Sequence, residues 1–225
     1  MRWQVGIGLA ILVAIALGIW APSAIIERQM TSVFRAHLEA EGSVRVRVRA
    51  TVWGLAQQRV ERMHVDATAI RLGDLAADRL RADLAGIAFL RSAEGWTPTR
   101  VRSGEATAEI GRLRLEQFLR DRGVAAPSVQ VAASGVTVSG GMPAGAVRVP
   151  FKLQGQFEAA GRDLRFRVAT LEVGGADVPR QLAATLMGLV QPVISLSRLP
   201  IPLVVDRVSS EDGRLIVRAR AEGQP

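Results

Sequence analysis

The chain has 225 residues, 48% of them apolar and 22% charged, a balance that describes a folded globular protein and excludes a disordered one. It contains no cysteine, which excludes disulfides and thiolate metal sites, and its formal net charge is +8. Lys152 is the only lysine among 29 basic residues; this arginine preference, beside abundant Ala, Val and Gly, reads largely as coding bias, while the positive sign still favours an anionic surface.

Trp3 to Ile26 carry no charge. At about 1.5 Å rise per residue this run makes a helix of about 36 Å, enough to cross a hydrocarbon core of about 30 Å with some tilt. The sequence thus predicts a transmembrane signal anchor over residues 1–26 and a single extracytoplasmic domain over residues 27–225. A cleaved signal peptide is the competing reading. Against it, the apolar run exceeds the roughly 7–15 residues of a signal core, and Pro22 follows the best small-residue exit, Ala21. Gly6, Ala10, Ala14 and Gly18 fall on one face at four-residue spacing, which lets two such helices approach closely. The richness of the segment in Ala and Gly gives the same stripe without association. Arg2 alone precedes the run, whereas Arg28 and Arg35 follow it, so local charge does not favour export. The short N-terminal tail is that of a signal anchor, and the bulk of the chain is expected outside.

Beyond the anchor, Ile26, Met30, Val33, Phe34, His37 and Leu38 keep helical spacing up to Gly42. From Ser43 the period changes to two: Val44, Val46 and Val48 alternate with Arg45, Arg47 and Arg49, a half-buried strand. Arg59–Leu72 and Leu75–Phe89, parted by Gly73-Asp74, read as a hairpin, and Val101–Ile110 as a further strand. Leu113–Arg122 reads as a short helix stopped by Gly123. Ser128–Ser139 and Val147–Glu158 read as strands flanking a loop over Gly140–Gly145. Asp163–Val173 alternates again. Gly174-Gly175 is expected to turn the chain into a helix from about Pro179, with Leu182, Leu186, Leu189 and Val190 on its apolar face. Ile201–Val208 and Leu215–Ala221, joined around Asp212-Gly213, form the last hairpin. Alternation with one wet side implies a sheet covered on one face, for which the helix over Ile26–Leu38 is the simplest cover.

No spacing carries chemistry. His37 sits on an apolar helix face and His64 alternates with Arg62 and Asp66 on a strand, so neither belongs to a set of convergent metal ligands. Ser134-Gly135 and Ser139-Gly140 are turn-prone and lack the flanking pattern of an activated nucleophile. Gly140–Gly145 lacks the Lys-Ser/Thr that completes a phosphate loop. The sequence therefore predicts a protein that is not an enzyme and has no cofactor or metal. The Arg45, Arg47 and Arg49 stripe reads either as a solvated sheet face or as planar forks suited to phosphate. Nucleic acid is disfavoured because aromatic platforms for bases are scarce, at 4% of the chain.

Several stretches carry a resemblance. They are the hydrophobic segment running into an amphipathic helix, Trp53-Gly54-Leu55, Val65-Asp66, Leu80-Arg81-Ala82-Asp83-Leu84, Leu115-Glu116-Gln117-Phe118-Leu119 and Val136-Thr137-Val138. The sharpest is the ending Leu199-Pro200-Ile201-Pro202-Leu203 with Gly213-Arg214-Leu215-Ile216-Val217. In these the chain resembles the LmeA-type phospholipid-binding family of bacterial cell-envelope proteins. The resemblance implies an extracytoplasmic, non-catalytic binder of anionic phospholipid at the bacterial membrane. The expected fold is α+β: the N-terminal transmembrane helix continues into an amphipathic helix packed on a strongly curved, mostly antiparallel β-sheet, with a TULIP-like lipid-binding groove.

Acyl chains are then expected in a groove lined by Val33, Phe34, Leu84, Phe118, Leu186 and Leu189, with the phosphate near Arg45, Arg47 and Arg49. Small residues at alternating positions, among them Ala82, Gly86, Ala88, Ala132 and Ala219, favour room on the apolar side. The rival expectation is an anchored scaffold with a filled core that docks a homo-oligomer or an envelope protein partner and holds no lipid.

Overall fold

The computed structural model describes residues 27–35, 38–72, 74–92, 95–144, 147–179, 194–196, 201, 203–211 and 213–222. The hydrophobic segment over residues 1–26, with Gly6, Ala10, Ala14 and Gly18, lies outside the described residues, as do His37 and the helix expected from Pro179, with Leu186 and Leu189. Among the described residues no helix is long and apolar enough to cross a membrane.

The chain begins with a helix over residues 27–35 (α1). Met30, Phe34 and Leu38 recur at four-residue spacing and are buried in the core. The strand expected from the Val/Arg alternation is β1 (Val44–Arg49), with Val44 and Val46 inward. A five-residue helix that periodicity does not reveal, α2 (Val52–Ala56), follows; the Thr51 hydroxyl caps it by accepting the Gly54 N–H at 3.1 Å.

The expected hairpin is β2 (Arg59–Leu72) and β3 (Leu75–Ser92), with Leu72 paired to Leu75. β4 (Gly95–Gly111) starts earlier than the alternation suggests. The short helix α3 (Arg112–Asp121) is followed by β5 (Ala125–Ala132), β6 (Gly135–Ala144), β7 (Val147–Ala160) and β8 (Asp163–Val173). Next come the short strands β9 (Ala176–Asp177) and β10 (Ile194–Ser195). The terminal hairpin is β11 (Leu203–Glu211) and β12 (Arg214–Ala221).

Antiparallel pairing holds throughout, but the strands divide between two sheets where one was expected. The first is six-stranded in the order β1-β2-β3-β4-β12-β11, and the second is β10-β8-β7-β6-β5, with β9 on β8. The division follows from two local events. α3 takes the chain off the first sheet after β4, and the terminal hairpin then returns to pair β12 with β4, Leu215 opposite Ile110.

The second correction lies in Ser128–Ser139, which is two strands. A turn at residues 133 and 134 shifts the apolar alternation from Val129 and Val131 to Val136 and Val138. The expected loop over Gly140–Gly145 shrinks accordingly, because Gly140–Ala144 belong to β6, and Ala144 is paired with Val147.

The inner faces of both sheets contribute to one hydrophobic core, where Met63, Val65, Leu75 and Leu215 of the first sheet are joined by Val129, Val136 and Leu164 of the second. β11 packs against β5, β7 and β8, and α3 packs against β3, β4 and β5. α3 has no side chain of its own at its N-cap, Gly111. Asp78 of β3 supplies the carboxylate instead, accepting the Gly111 N–H at 2.7 Å and pairing with Arg114 at 3.0 Å. The Glu116 carboxylate accepts the Val129 N–H at 3.2 Å and ties the helix to β5.

Candidate functional site

An apolar hollow of about 460 Å³ lies between α3 and the inner face of the second sheet. One wall is the helix face of Leu115, Phe118 and Leu119. The other is built from alternate strand residues: Val129, Val136, Val138, Phe151, Leu153, Phe157, Phe166 and Leu171. Met142 and Pro143 of the β6–β7 hairpin complete the lining. Four of the six phenylalanines in the chain are there. Phe157 and Phe166 stand edge to face, with ring centroids 5.0 Å apart.

Gly155, on the same wall, has a bulk limit. A Cβ there would lie 2.2 Å from the Arg167 carbonyl oxygen and 2.7 Å from the Phe166 ring, so its lack of a side chain lets that ring lie across β7.

Among the described residues that line the hollow, Arg122 is the one that carries a charge. Its guanidinium lies over the Phe118 ring, 4.8 Å from the centroid, and pairs with Asp74 at 2.8 Å. A guanidinium has five N–H donors, so these contacts leave it donors for an oxyanion. The site therefore offers an apolar hollow with one cation beside it. Among the described residues no three His, Asp or Glu side chains converge as a metal site would require.

Of the residues expected to line an acyl groove, Phe118 lines this hollow. Phe34 and Leu84 are buried in the core, and Val33 is half-buried on α1. Arg45, Arg47 and Arg49 are exposed on the outer face of the six-stranded sheet, in register with Asp66, His64 and Arg62. Arg47 and Arg49 line a polar cleft there with Arg62, His64, Asp83 and Glu105, and the geometry does not bring them to the apolar hollow. His64 Nδ1 lies 2.7 Å from Asp83 on this face. Arg79 pairs with Asp66 at 2.6 Å. Its hydrogen bonds hold the Asp66 carboxyl below the ordinary 3.8 against partial desolvation, with the charges of Arg79, Arg81 and His64 adding to the effect.

The lining residues that the groove expectation omits had a signal in the sequence. Phe151, Phe157 and Phe166 stand within one stretch of alternating strands, close in the chain to an amphipathic helix. Which helix would face them is a matter of long-range packing and has no local signature.

The model of the LmeA-like phospholipid-binding family matches residues 19–220. No curated protein and no solved structure matches the chain.

Proposed function

The chain belongs to the LmeA-like phospholipid-binding family, and we propose that it holds the acyl part of a phospholipid in the hollow between α3 and the second sheet. The observation that carries this reading is the hollow itself: about 460 Å³, walled by Leu, Val and Phe, in a member of a phospholipid-binding family. The volume falls within the roughly 300–1,000 Å³ of ordinary small-ligand sites. Water gains little from such walls, whereas each methylene that replaces it contributes about 0.8 kcal/mol.

Arg122, beside Phe118 and Asp74, is the cation available to the phosphate end, by a charge-assisted hydrogen bond. The uncharged run from Trp3 to Ile26 supports a membrane anchor, with the binding domain held outside the cell membrane at the bilayer it serves. Binding, orientation and exclusion of water are the whole of the chemistry proposed. A scaffold holding no lipid would have no use for a hollow of this size, which favours the lipid reading over that alternative.

Native mass spectrometry of the full chain, released from detergent, tests this reading. A retained phospholipid near one per chain is the expected result, lost in Phe118→Asp. A parent protein that stays free of lipid after incubation with phospholipid overturns it.

A further inference from the structure

The β6–β7 hairpin does more than close one end of the hollow. Its strands run outward from the cavity, with Val138 opposite Leu153, Met142 opposite Val149 and Ala144 opposite Val147. The two-residue alternation puts Val147 on the same face as the cavity-lining Phe151 and Leu153. That face does not end where the hollow ends. Met142 is 40% exposed and Val147 64% exposed, and Pro143, next to Met142 in the chain, is exposed as well. Met142 and Pro143 also line the hollow, so exposed apolar residues of this hairpin form part of the cavity wall.

The charge around this tip has one sign in the sequence. From Arg122 to Phe157 there is no acidic residue, and the three charged residues are Arg122, Arg148 and Lys152. Arg148 and Lys152 are exposed on the opposite face of β7 from Val147. The nearest acidic group in register is Glu172, opposite Lys152, with Asp177 opposite Glu172; Arg148 stands opposite Pro143. An exposed apolar tip backed by arginine and lysine matches the boundary between acyl chains and anionic headgroups, where apolar side chains sink by about 5–10 Å and cations meet phosphate.

We infer that the β6–β7 tip dips into the interface of an anionic bilayer and is the portal through which an acyl chain passes between bilayer and hollow. This rests on the hollow being the acyl site. The partner is the lipid surface, engaged through Met142, Pro143 and Val147, with Arg148 on the headgroups.

The chain lacks cysteine, so Val147→Cys gives a single position for an environment-sensitive dye on the full chain, with Ser134→Cys, in the turn at the far end of β6, as the control. Both are reconstituted into vesicles of phosphatidylcholine alone and of phosphatidylcholine with one-quarter phosphatidylglycerol. The expected result is a blue shift and at least threefold protection from acrylamide quenching at residue 147 in the anionic vesicles, with none at residue 134. Val147→Glu, at a residue outside the cavity lining, is expected to slow lipid uptake from vesicles about tenfold while leaving the amount bound at equilibrium unchanged.

A dye at residue 147 that stays open to acrylamide in anionic vesicles, on protein that native mass spectrometry shows loaded with lipid, overturns the portal and leaves the acyl site standing. Protection at residue 147 in detergent that grows with protein concentration also overturns it, because a second copy then covers the tip. Protein that never loads lipid removes the acyl site itself, and with it the portal.

Discussion

The two inner faces of this molecule are made by the same period-two pattern and end in opposite states. Where the first sheet meets Leu164 and Leu196 of the other layer lies a cavity of about 20 Å³, close to the volume that one water needs. Between the second sheet and α3 the cavity is about 460 Å³. The first face is rich in buried alanine, with Ala67, Ala77, Ala82, Ala106, Ala108 and Ala219, and its layers close tightly. The second is walled by phenylalanine, valine and leucine and leaves room. Small side chains therefore mark close approach here, and large ones mark the hollow.

The sharpest way to break this contrast is to truncate one residue on each side. Leu215→Ala, at a fully buried position of the six-stranded sheet, is expected to lower stability by about 2–5 kcal/mol in urea unfolding. Leu119→Ala, half-buried in the cavity wall, is expected to lose less than half as much. Equal losses would mean that the hollow is packed as tightly as the core.

Adding bulk should act in the other order of consequences. Gly155→Val drives a side chain into the Arg167 carbonyl and the Phe166 ring, with an expected loss of about 1–3 kcal/mol and displacement of that wall. An unchanged unfolding midpoint would show that Phe166 has freedom to move aside. Val138→Trp places its ring in the hollow. It is expected to weaken lipid binding about tenfold, or about 1.4 kcal/mol, while costing less stability than Gly155→Val. Unchanged lipid occupancy, by mass spectrometry, would place the acyl chain elsewhere.

The smallest effect belongs to the outer face. Asp66 has its folded value below 3.8, so its pairing with Arg79 stabilises the fold above that pH and is lost as the pH falls through the lower folded value. The melting temperature of Asp66→Asn should therefore lie slightly below that of the parent at pH 7, and the gap should close as the pH falls below the folded value. A gap that stays constant as the pH is lowered would show that the substitution acts through something other than the carboxylate charge.

Much of the fold was legible because its signals are local. Gly73-Asp74 marks the β2–β3 turn, Asp212-Gly213 the terminal one, and the spacing of Leu115, Phe118 and Leu119 marks α3. The Ser134-Gly135 turn signal was present too, but valines on both sides of it made two strands read as one. The second sheet was not legible, since the pairing of β12 with β4 joins residues about a hundred positions apart and nothing in either strand names its partner. Of the expected groove residues, Phe118 lines the hollow, while Leu186 and Leu189 lie outside the described residues. Ala82 and Ala219, which the sequence offers as small residues leaving room, are both buried in the core.

The most direct test of the central claim is photocrosslinking of the full chain with a phospholipid that carries a diazirine at the end of one acyl chain, followed by mapping of the adducts. Adducts on the peptides holding Phe118, Leu119 and Val138 are the predicted result. Adducts confined to the β1 face around Arg45, Arg47 and Arg49, or to α1 around Phe34, would contradict the account and move the acyl site to the other sheet.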